Sequence, residues 1–235
     1  KTARYDHDAL RADLAEAHAA AAAFRPVGRY PAGASSYLRA WFAPAAAEEL
    51  LHFRTLAAGS RHADVLHVIL ARAARSARRT THFDLDFPRA PQLGEYWCHK
   101  HRRLCRPVEE ARRFLLRYTL DTVARIEAFA AVRAPGRSAT VIHGDARLLD
   151  PGGGYAGVVT SPPYPGLIDY HGQHRYAYEL LGIEEQPDGE LGRPALGTGR
   201  AALESYAEGI AAVLRIAASA LAPAGRICVV VNDRR

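Results

Sequence analysis

Three short apolar runs constrain the fold of this chain more than any other feature: Ala139-Thr140-Val141-Ile142, Ala156-Gly157-Val158-Val159-Thr160 and Arg226-Ile227-Cys228-Val229-Val230-Val231. Each has the length of a strand and is apolar on successive residues, the pattern of strands covered on both faces. Helices are predicted after the second run, over about 169–182 and 200–221. Apolar strands alternating with helices specify an α/β arrangement with a parallel sheet. Ligands bind such sheets at the carboxyl ends of the strands. That rule directs attention to His143-Gly144-Asp145 and to Thr160-Ser161-Pro162-Pro163-Tyr164.

The residues before Pro135-Gly136 read differently. A helix is predicted over 6–24, a Pro/Gly-rich loop over 25–34, and a second helix that starts at Pro44 and closes at Gly59. A third helix over 62–79 grows more basic toward its end, a favourable direction for its dipole. Residues 80–106 read as irregular, punctuated by Pro88, Pro91 and Pro107. A long helix is predicted from Val108 to Val132, with Val108, Ala111, Leu115, Tyr118, Thr122, Ile126 and Phe129 on one stripe. The expected organisation is a largely helical segment over 1–135 and an α/β segment over 136–235.

Charge is concentrated. The 235 residues carry a net charge of +6, and the stretch from Arg72 to Arg113 alone holds eleven Lys and Arg against five Asp and Glu. Interleaved with Phe83, Phe87, Tyr96 and Trp97, this basic block suits a phosphate-tracking surface. A composition of 49% hydrophobic and 24% charged residues excludes intrinsic disorder. No apolar run reaches the roughly 18 residues of a membrane span, and the first helix carries too many charges for a signal peptide. Three cysteines make no disulfide framework, which favours a reducing compartment. The chain contains no methionine, so it is expected to be a piece of something longer.

Thr160–Tyr164 carries the strongest chemical signal. Consecutive prolines fix φ and lack N–H groups, so their carbonyls are held in defined directions. The Ser161 side-chain oxygen and the Pro162 carbonyl can together accept hydrogen bonds from a planar amino group, while Tyr164 can stack on the ring that bears it. Such a site orients an amine toward an electrophile.

In context this segment resembles the motif of DNA amino-methyltransferases, which methylate the exocyclic nitrogen of cytosine or adenine. The similarity runs through Thr160–Tyr164, Gly166-Leu167-Ile168-Asp169-Tyr170-His171 and His174-Arg175-Tyr176-Ala177-Tyr178-Glu179-Leu180-Leu181. Upstream strings are similar to one subgroup of that family: Ser76 to Asp86, Tyr96-Trp97-Cys98-His99-Lys100-His101, Cys105-Arg106-Pro107-Val108, and the closing Val231-Asn232-Asp233-Arg234.

The resemblance implies a Rossmann-like methyltransferase core that uses S-adenosylmethionine, with DNA as partner and the target base flipped from the duplex. It assigns Ser161 and Pro162 to the amino group, with Pro163 completing the loop and Tyr164 stacked on the base. Asp145, with Gly144 and Thr160, falls at the cofactor; Asp169 and Tyr170 line the pocket. Residues 1–135 would be a helical insertion between the second and third strands of the core. Its DNA contacts are expected from Arg78, Arg79, Lys100, Arg102 and Arg103. Ser before Pro-Pro-Tyr favours cytosine N4; adenine N6, an RNA base, a protein amide, or a truncated relative that binds DNA without turnover are the alternatives. A cognate restriction endonuclease and a prokaryotic cytoplasm also follow from the resemblance.

Two departures matter, a missing glycine-rich loop and a missing acidic residue for the cofactor's ribose. The family's Phe-x-Gly-x-Gly loop, which cradles the methionine end of the cofactor, is absent, and Gly152-Gly153-Gly154 joins two strands rather than opening a helix. Lys1-Thr2 resembles the end of the ribose-binding segment, so that loop is expected upstream, and residues 1–235 alone are expected to bind the cofactor weakly and to be inactive. Separately, Cys98, His101 and Cys105 form Cys-x2-His-x3-Cys, with His82 and His99 as further candidate ligands. Three compact ligands fall short of the four that zinc prefers, so buried thiols and surface histidines without metal are expected. His174 suits either a pocket or a packed structural role.

Overall fold

A computed structural model describes residues 5–80, 90–98, 101–134 and 136–231. The chain divides into two compact units: residues 1–139 with 174–184, and residues 140–173 with 185–235.

The first unit is a helical bundle. Helix α1 (His7–Ala23) is capped by the Asp6 carboxylate, which accepts the N–H groups of Asp8 and Ala9. Ser35 caps α2 (Ser36–Trp41) in the same way. Helix α3 (Pro44–Ala58) opens on its proline, and α4 (Ala63–Ala77) follows a tight turn. Helix α5 (Arg112–Val132) packs against α1, α3 and α4. Alanines at 46, 47, 57, 73, 74 and 77 are buried on α3 and α4, which lets the helices approach closely around Leu50, Phe53, Leu66, Ile69 and Leu70.

Helix α5 begins later than the apolar stripe predicts. Its N-cap is Ala111, which has no side chain to cap with. The buried Glu49 carboxylate of α3 substitutes, accepting from the backbone of Ala111 at 2.5 Å and Arg112 at 2.8 Å. Val108 is buried in the same core without being helical. Part of the stretch expected to be irregular also folds: β1 (Tyr96–Cys98) pairs antiparallel with β2 (Arg103–Cys105).

In the second unit β3 (Tyr155–Thr160) and β4 (Leu221–Val229) form a parallel pair. Parallel neighbours require a crossover, and here α6 (Tyr170–Leu181), two single 3-10 turns and α7 (Arg200–Ser219) lie between them in sequence. Strand β4 starts five residues before the predicted Arg226, across a bulge in which Ala224 takes φ 65°. The predicted strand Ala139–Ile142 does not form. A strand requires a hydrogen-bonded neighbour, and among the described residues the parallel sheet consists of β3 and β4 alone. Val141 is accordingly 76% exposed. The helices and small sheets make a mixed α/β chain. Among the described residues no helix is long and apolar enough to cross a membrane.

Candidate functional site

Strand β3 delivers Thr160-Ser161-Pro162-Pro163-Tyr164 at its carboxyl end, beside the end of β4. The Thr160 carbonyl accepts from the Val230 N–H at 2.8 Å, extending the ladder one step beyond β4. Ser161 is exposed, and its hydroxyl donates to the Val230 carbonyl at 3.2 Å. A hydroxyl has one proton and two acceptor lone pairs. With the proton committed to the sheet, the lone pairs are what Ser161 offers to solvent.

The prolines are fixed from the other side. The Tyr206 hydroxyl of α7 donates to the Pro163 carbonyl at 2.7 Å. Burial raises the Tyr206 phenol above its usual range, with the neighbouring Tyr170 and Tyr164 adding to the shift. Tyr170 is raised for the same first reason, with Tyr164 next. Both phenols therefore stay protonated across the neutral range, and Tyr206 keeps its donation to the Pro163 carbonyl. Gly192, at φ 73°, closes the floor of this loop: a Cβ there would lie 2.9 Å from the Pro165 Cα and 3.1 Å from Tyr206. Gly166 donates its N–H to the Gly192 carbonyl at 2.9 Å.

The start of α6 is held by acids. Asp169 is its N-cap: the side chain accepts the Gly172 N–H at 2.8 Å, and any Cβ at Gly172 would collide with that carboxylate. The nearly buried Glu190 accepts from the Tyr170 N–H at 3.0 Å and meets His171 Nδ1 at 2.8 Å. Glu190 and Tyr206 are the positioning groups that sequence reasoning missed. They lie 20 or more residues beyond the motif, with only a polar residue amid turn-forming glycines and a helical tyrosine as signals.

Other expected residues fall as follows. Asp145 sits in a turn: its carboxylate accepts the Arg147 N–H and its carbonyl the Leu148 N–H, while Arg147 Nε and Nη2 engage both carboxylate oxygens at 2.6–3.0 Å. That guanidinium holds the Asp145 carboxyl down at about 2. Gly144 precedes it, packed so closely on Leu149 that a Cβ would lie 2.8 Å from it. His174 is exposed, with Tyr176 as a tilted ring neighbour at 6.1 Å, so it is not a packed core histidine.

The helical unit holds a second candidate surface. Ser76, His101, Arg103, Cys105, Arg106, Arg113, Arg117 and Tyr118 surround a cleft of about 330 Å³ floored by Val108 and Phe114. Arg113 and Arg117 are one turn apart on α5, the spacing that puts both on one face. The Arg117 guanidinium lies 5.7 Å from the Tyr118 ring, whose other neighbour is Arg72 at 4.4 Å. Ser76 and Tyr118 share a hydroxyl hydrogen bond at 2.9 Å. Four arginines, of which Arg106 is paired with Glu95 at 2.7 Å, line one cleft with hydroxyls and an aromatic ring, a set of side chains able to receive an anion.

Of the expected DNA-contacting residues, Arg102 and Arg103 are exposed on the hairpin. Arg79 reaches back to the Tyr30 hydroxyl at 3.2 Å and to the Ala40 carbonyl. Arg78 requires a correction: it is only 1% exposed, its guanidinium 4.7 Å over the Tyr176 ring, with burial pulling its pKa down. Arg78 is itself the C-cap of α4 and turns inward, where Tyr37 first and then Tyr176 favour its charge against burial. Lys100, His82 and His99 lie outside the described residues. Arg113 and Arg117 line the cleft that Arg78 does not reach, and their i,i+4 spacing is the signal that puts them on one face.

Comparison with known proteins gives one informative likeness. The chain is 37% identical over 217 residues to the Type II methyltransferase M.MjaII of Methanocaldococcus jannaschii. The match covers 85% of this chain and 41% of that protein, so the chain spans less than half the length of this relative. No protein-family model and no solved structure matches.

Proposed function

We propose that this chain carries the target-base site of a DNA methyltransferase that modifies an exocyclic amino group, with cytosine N4 as its target. The observation that carries this reading is the Ser161 hydroxyl, whose O–H donates to the Val230 carbonyl so that its lone pairs are left to accept beside a Pro-Pro pair. Similarity to the Type II methyltransferase supports it over other users of amine acceptors.

On this reading the target base leaves the duplex and enters beside Tyr164, stacking on its ring. One amino N–H is accepted by Ser161 and the other by the Pro162 carbonyl. Those two bonds turn the nitrogen lone pair away from the loop, toward the methyl donor. Tyr206 positions the loop through the Pro163 carbonyl, and Glu190 holds the start of α6 in place behind it. Catalysis is therefore orientation plus fixed acceptors, with no covalent enzyme intermediate.

S-adenosylmethionine, when bound, supplies an electrophilic methyl group. On this reading Thr160, the last residue of β3, and Gly144 lie at the cofactor, but Asp145 would serve its adenine only with Arg147 displaced, since both carboxylate oxygens are occupied. The described residues thus fit the target amine better than the cofactor, as expected if further cofactor-binding sequence belongs to the protein. DNA would be held by the basic cleft through phosphates, with Arg102 and Arg103 at its hairpin edge. The helical unit would then be an insertion in a Rossmann-like core.

Nucleoside mass spectrometry of DNA from a methylation-free host expressing the complete open reading frame, with Ser161→Ala as control, tests this. N4-methylcytosine that vanishes in the control is the expected result. N6-methyladenine would overturn the choice of base, and unmodified DNA from soluble protein would overturn the assignment.

A further inference from the structure

The hairpin β1–β2 is three residues per strand, with residues 99–102 between the strands in sequence. A two-stranded ribbon of that size is not stable in water by itself. Its register pairs Tyr96 with Cys105, Trp97 with Leu104 and Cys98 with Arg103. Directly opposed residues share a face and alternate residues share a face. Tyr96, Cys98, Arg103 and Cys105 therefore lie on one side, and Trp97 and Leu104 on the other. The second side is open: Trp97 is 54% and Leu104 63% exposed. An exposed Trp-Leu pair contributes little burial, so the fold of this ribbon must be supported from its first side.

That side brings together three soft ligands. Cys98 Sγ, Cys105 Sγ and one ring nitrogen of His101 all lie within 4.8 Å of one another. His101 Nδ1 is already 3.4 Å from the Cys105 sulfur. Tetrahedral zinc with ordinary bond lengths places a sulfur and a nitrogen ligand about 3.5 Å apart and two sulfurs about 3.8 Å apart. Closing the wider gap needs a side-chain adjustment of about 1 Å. Cys98 is 4% exposed and Cys105 half-buried, so the thiols face inward, as in structural sites. Arg102 is held at φ 51°, a left-handed conformation that a non-glycine residue adopts at a cost. It turns the chain directly after His101, the loop ligand.

We propose that Cys98, His101 and Cys105 bind a zinc ion that staples this hairpin. Two thiolates and one imidazole are three of the four nitrogen or sulfur ligands zinc takes, and the set contains no carboxylate or carbonyl to favour calcium or magnesium. The fourth position is filled by water or by a further side chain. The site forms part of the rim of the basic cleft, through His101 and Cys105. Its role is structural: it fixes Arg103 and Arg106 beside Arg113 and Arg117 and presents Trp97 outward. Metal binding by this set does not depend on the methyltransferase reading and would survive its failure.

The test uses the untagged 235-residue chain, purified without chelator. Elemental analysis should find roughly one zinc per chain, and replacement by cobalt should produce thiolate-to-cobalt charge-transfer absorption. Cys98→Ser and Cys105→Ser should each lose the metal, while Cys228→Ser, in the other unit, should keep it. His101→Cys guards against misfolding as a trivial cause of loss: a third thiolate should retain zinc and shift the cobalt spectrum. The proposal is overturned if the native chain holds no zinc and takes up no cobalt with thiolate absorption. It is equally overturned if zinc persists in the folded Cys98→Ser and Cys105→Ser variants, or if His101→Cys leaves the cobalt spectrum unchanged.

Discussion

The two units of this chain solve the burial problem to very different extents. Among the described residues, twenty-six buried apolar side chains cluster in the helical unit, whereas the α/β unit contributes Ala220 to the buried apolar set. Its branched residues are instead at the surface: Val159 is 80% and Leu148 83% exposed, and Val229, Val230 and Val231 are open as well. Parallel strands belong in sheets covered on both faces. The α/β unit is thus held less by an apolar core than by the β3–β4 ladder and by polar ties such as Tyr206 to Pro163 and Glu190 to α6. The helical unit provides a rigid basic surface, and the α/β unit a loop geometry that needs cover.

The largest effect expected from this difference is in stability. Phe53→Ala, at a fully buried site on α3, should cost about 3–5 kcal/mol. Val159→Ala should cost under about 0.5 kcal/mol because there is little burial to lose. Chemical denaturation followed by circular dichroism measures both. Equal costs would break the comparison and mean that the β3 face is covered in solution. Hydrogen exchange sharpens the point: amides of α3 and α4 should outlast those of β3 and β4, since opening the latter exposes little new apolar surface.

The same contrast explains what is legible in the sequence. Helices α1, α3 and α4 are legible because caps and prolines mark their ends and their apolar residues face one core; Asp6 and Pro44 sit where the pattern puts them. Strand β3 and the Ser161 loop are legible because a continuous apolar run and a Pro-Pro pair are local signals. Ala139–Ile142 has an equally apolar run and forms no strand, because a strand is defined by its partner and no residue of the run encodes one. The start of α5 is hidden because its cap, Glu49, comes from a residue more than 60 positions away. Arg78 misleads because a basic residue at a helix end looks like surface until Tyr176 is known to lie across it. The hairpin escapes because its strands are three residues long, too short for any period to show.

The next prediction concerns the basic cleft. If the helical unit supplies a rigid phosphate surface, the double variant Arg113→Ala, Arg117→Ala should weaken binding of duplex DNA roughly tenfold or more. The slope of log affinity against log salt should become shallower by about 1 for each phosphate no longer neutralised. Fluorescence anisotropy at several salt concentrations measures both. On the proposed reading Ser161→Ala should leave binding unchanged, since that loop would act on the base rather than the backbone. If removing the arginines leaves the salt slope untouched, the cleft is not the DNA surface.

A smaller effect is expected at Glu49. Burial, the dominant influence, raises its carboxyl above the usual range, and the bonds from Arg112 and Ala111 only partly oppose this. The folded state therefore binds the proton more tightly than the unfolded chain does. The associated stability is present below the ordinary glutamate pKa and is lost as pH rises through the higher folded value. Glu49→Gln keeps one acceptor for α5 and has no proton to lose. Its cost should be below about 1 kcal/mol, and smaller at neutral pH than in mild acid. Denaturation under both conditions checks the sign; a cost that grows with pH would show the cap to be an ion pair in effect.

The smallest effect separates the units at the level of single carboxylates. Asp121 of α5 is held at about 2, first by its bond from Arg125 and then by Arg72 of α4. Asp145 of the α/β unit is held at about 2 by Arg147 alone, two residues away. Both shifts are downward, so the stabilisation from each ion pair is present above the ordinary aspartate range and disappears as pH falls through about 2. The consequences differ because Arg72 also donates to Thr122 at 2.9 Å and stacks on Tyr118, which ties α4 to α5. Protonating Asp121 should therefore speed amide exchange along the α4–α5 seam, whereas protonating Asp145 should change only its own turn. Carboxyl NMR titration into strong acid, with exchange measured alongside, reads both. Arg147→Ala should return the Asp145 midpoint toward the ordinary value with no change in the helices. If it also perturbs α4 or α5, the two units are coupled and the contrast between a self-sufficient bundle and a locally tied loop domain fails.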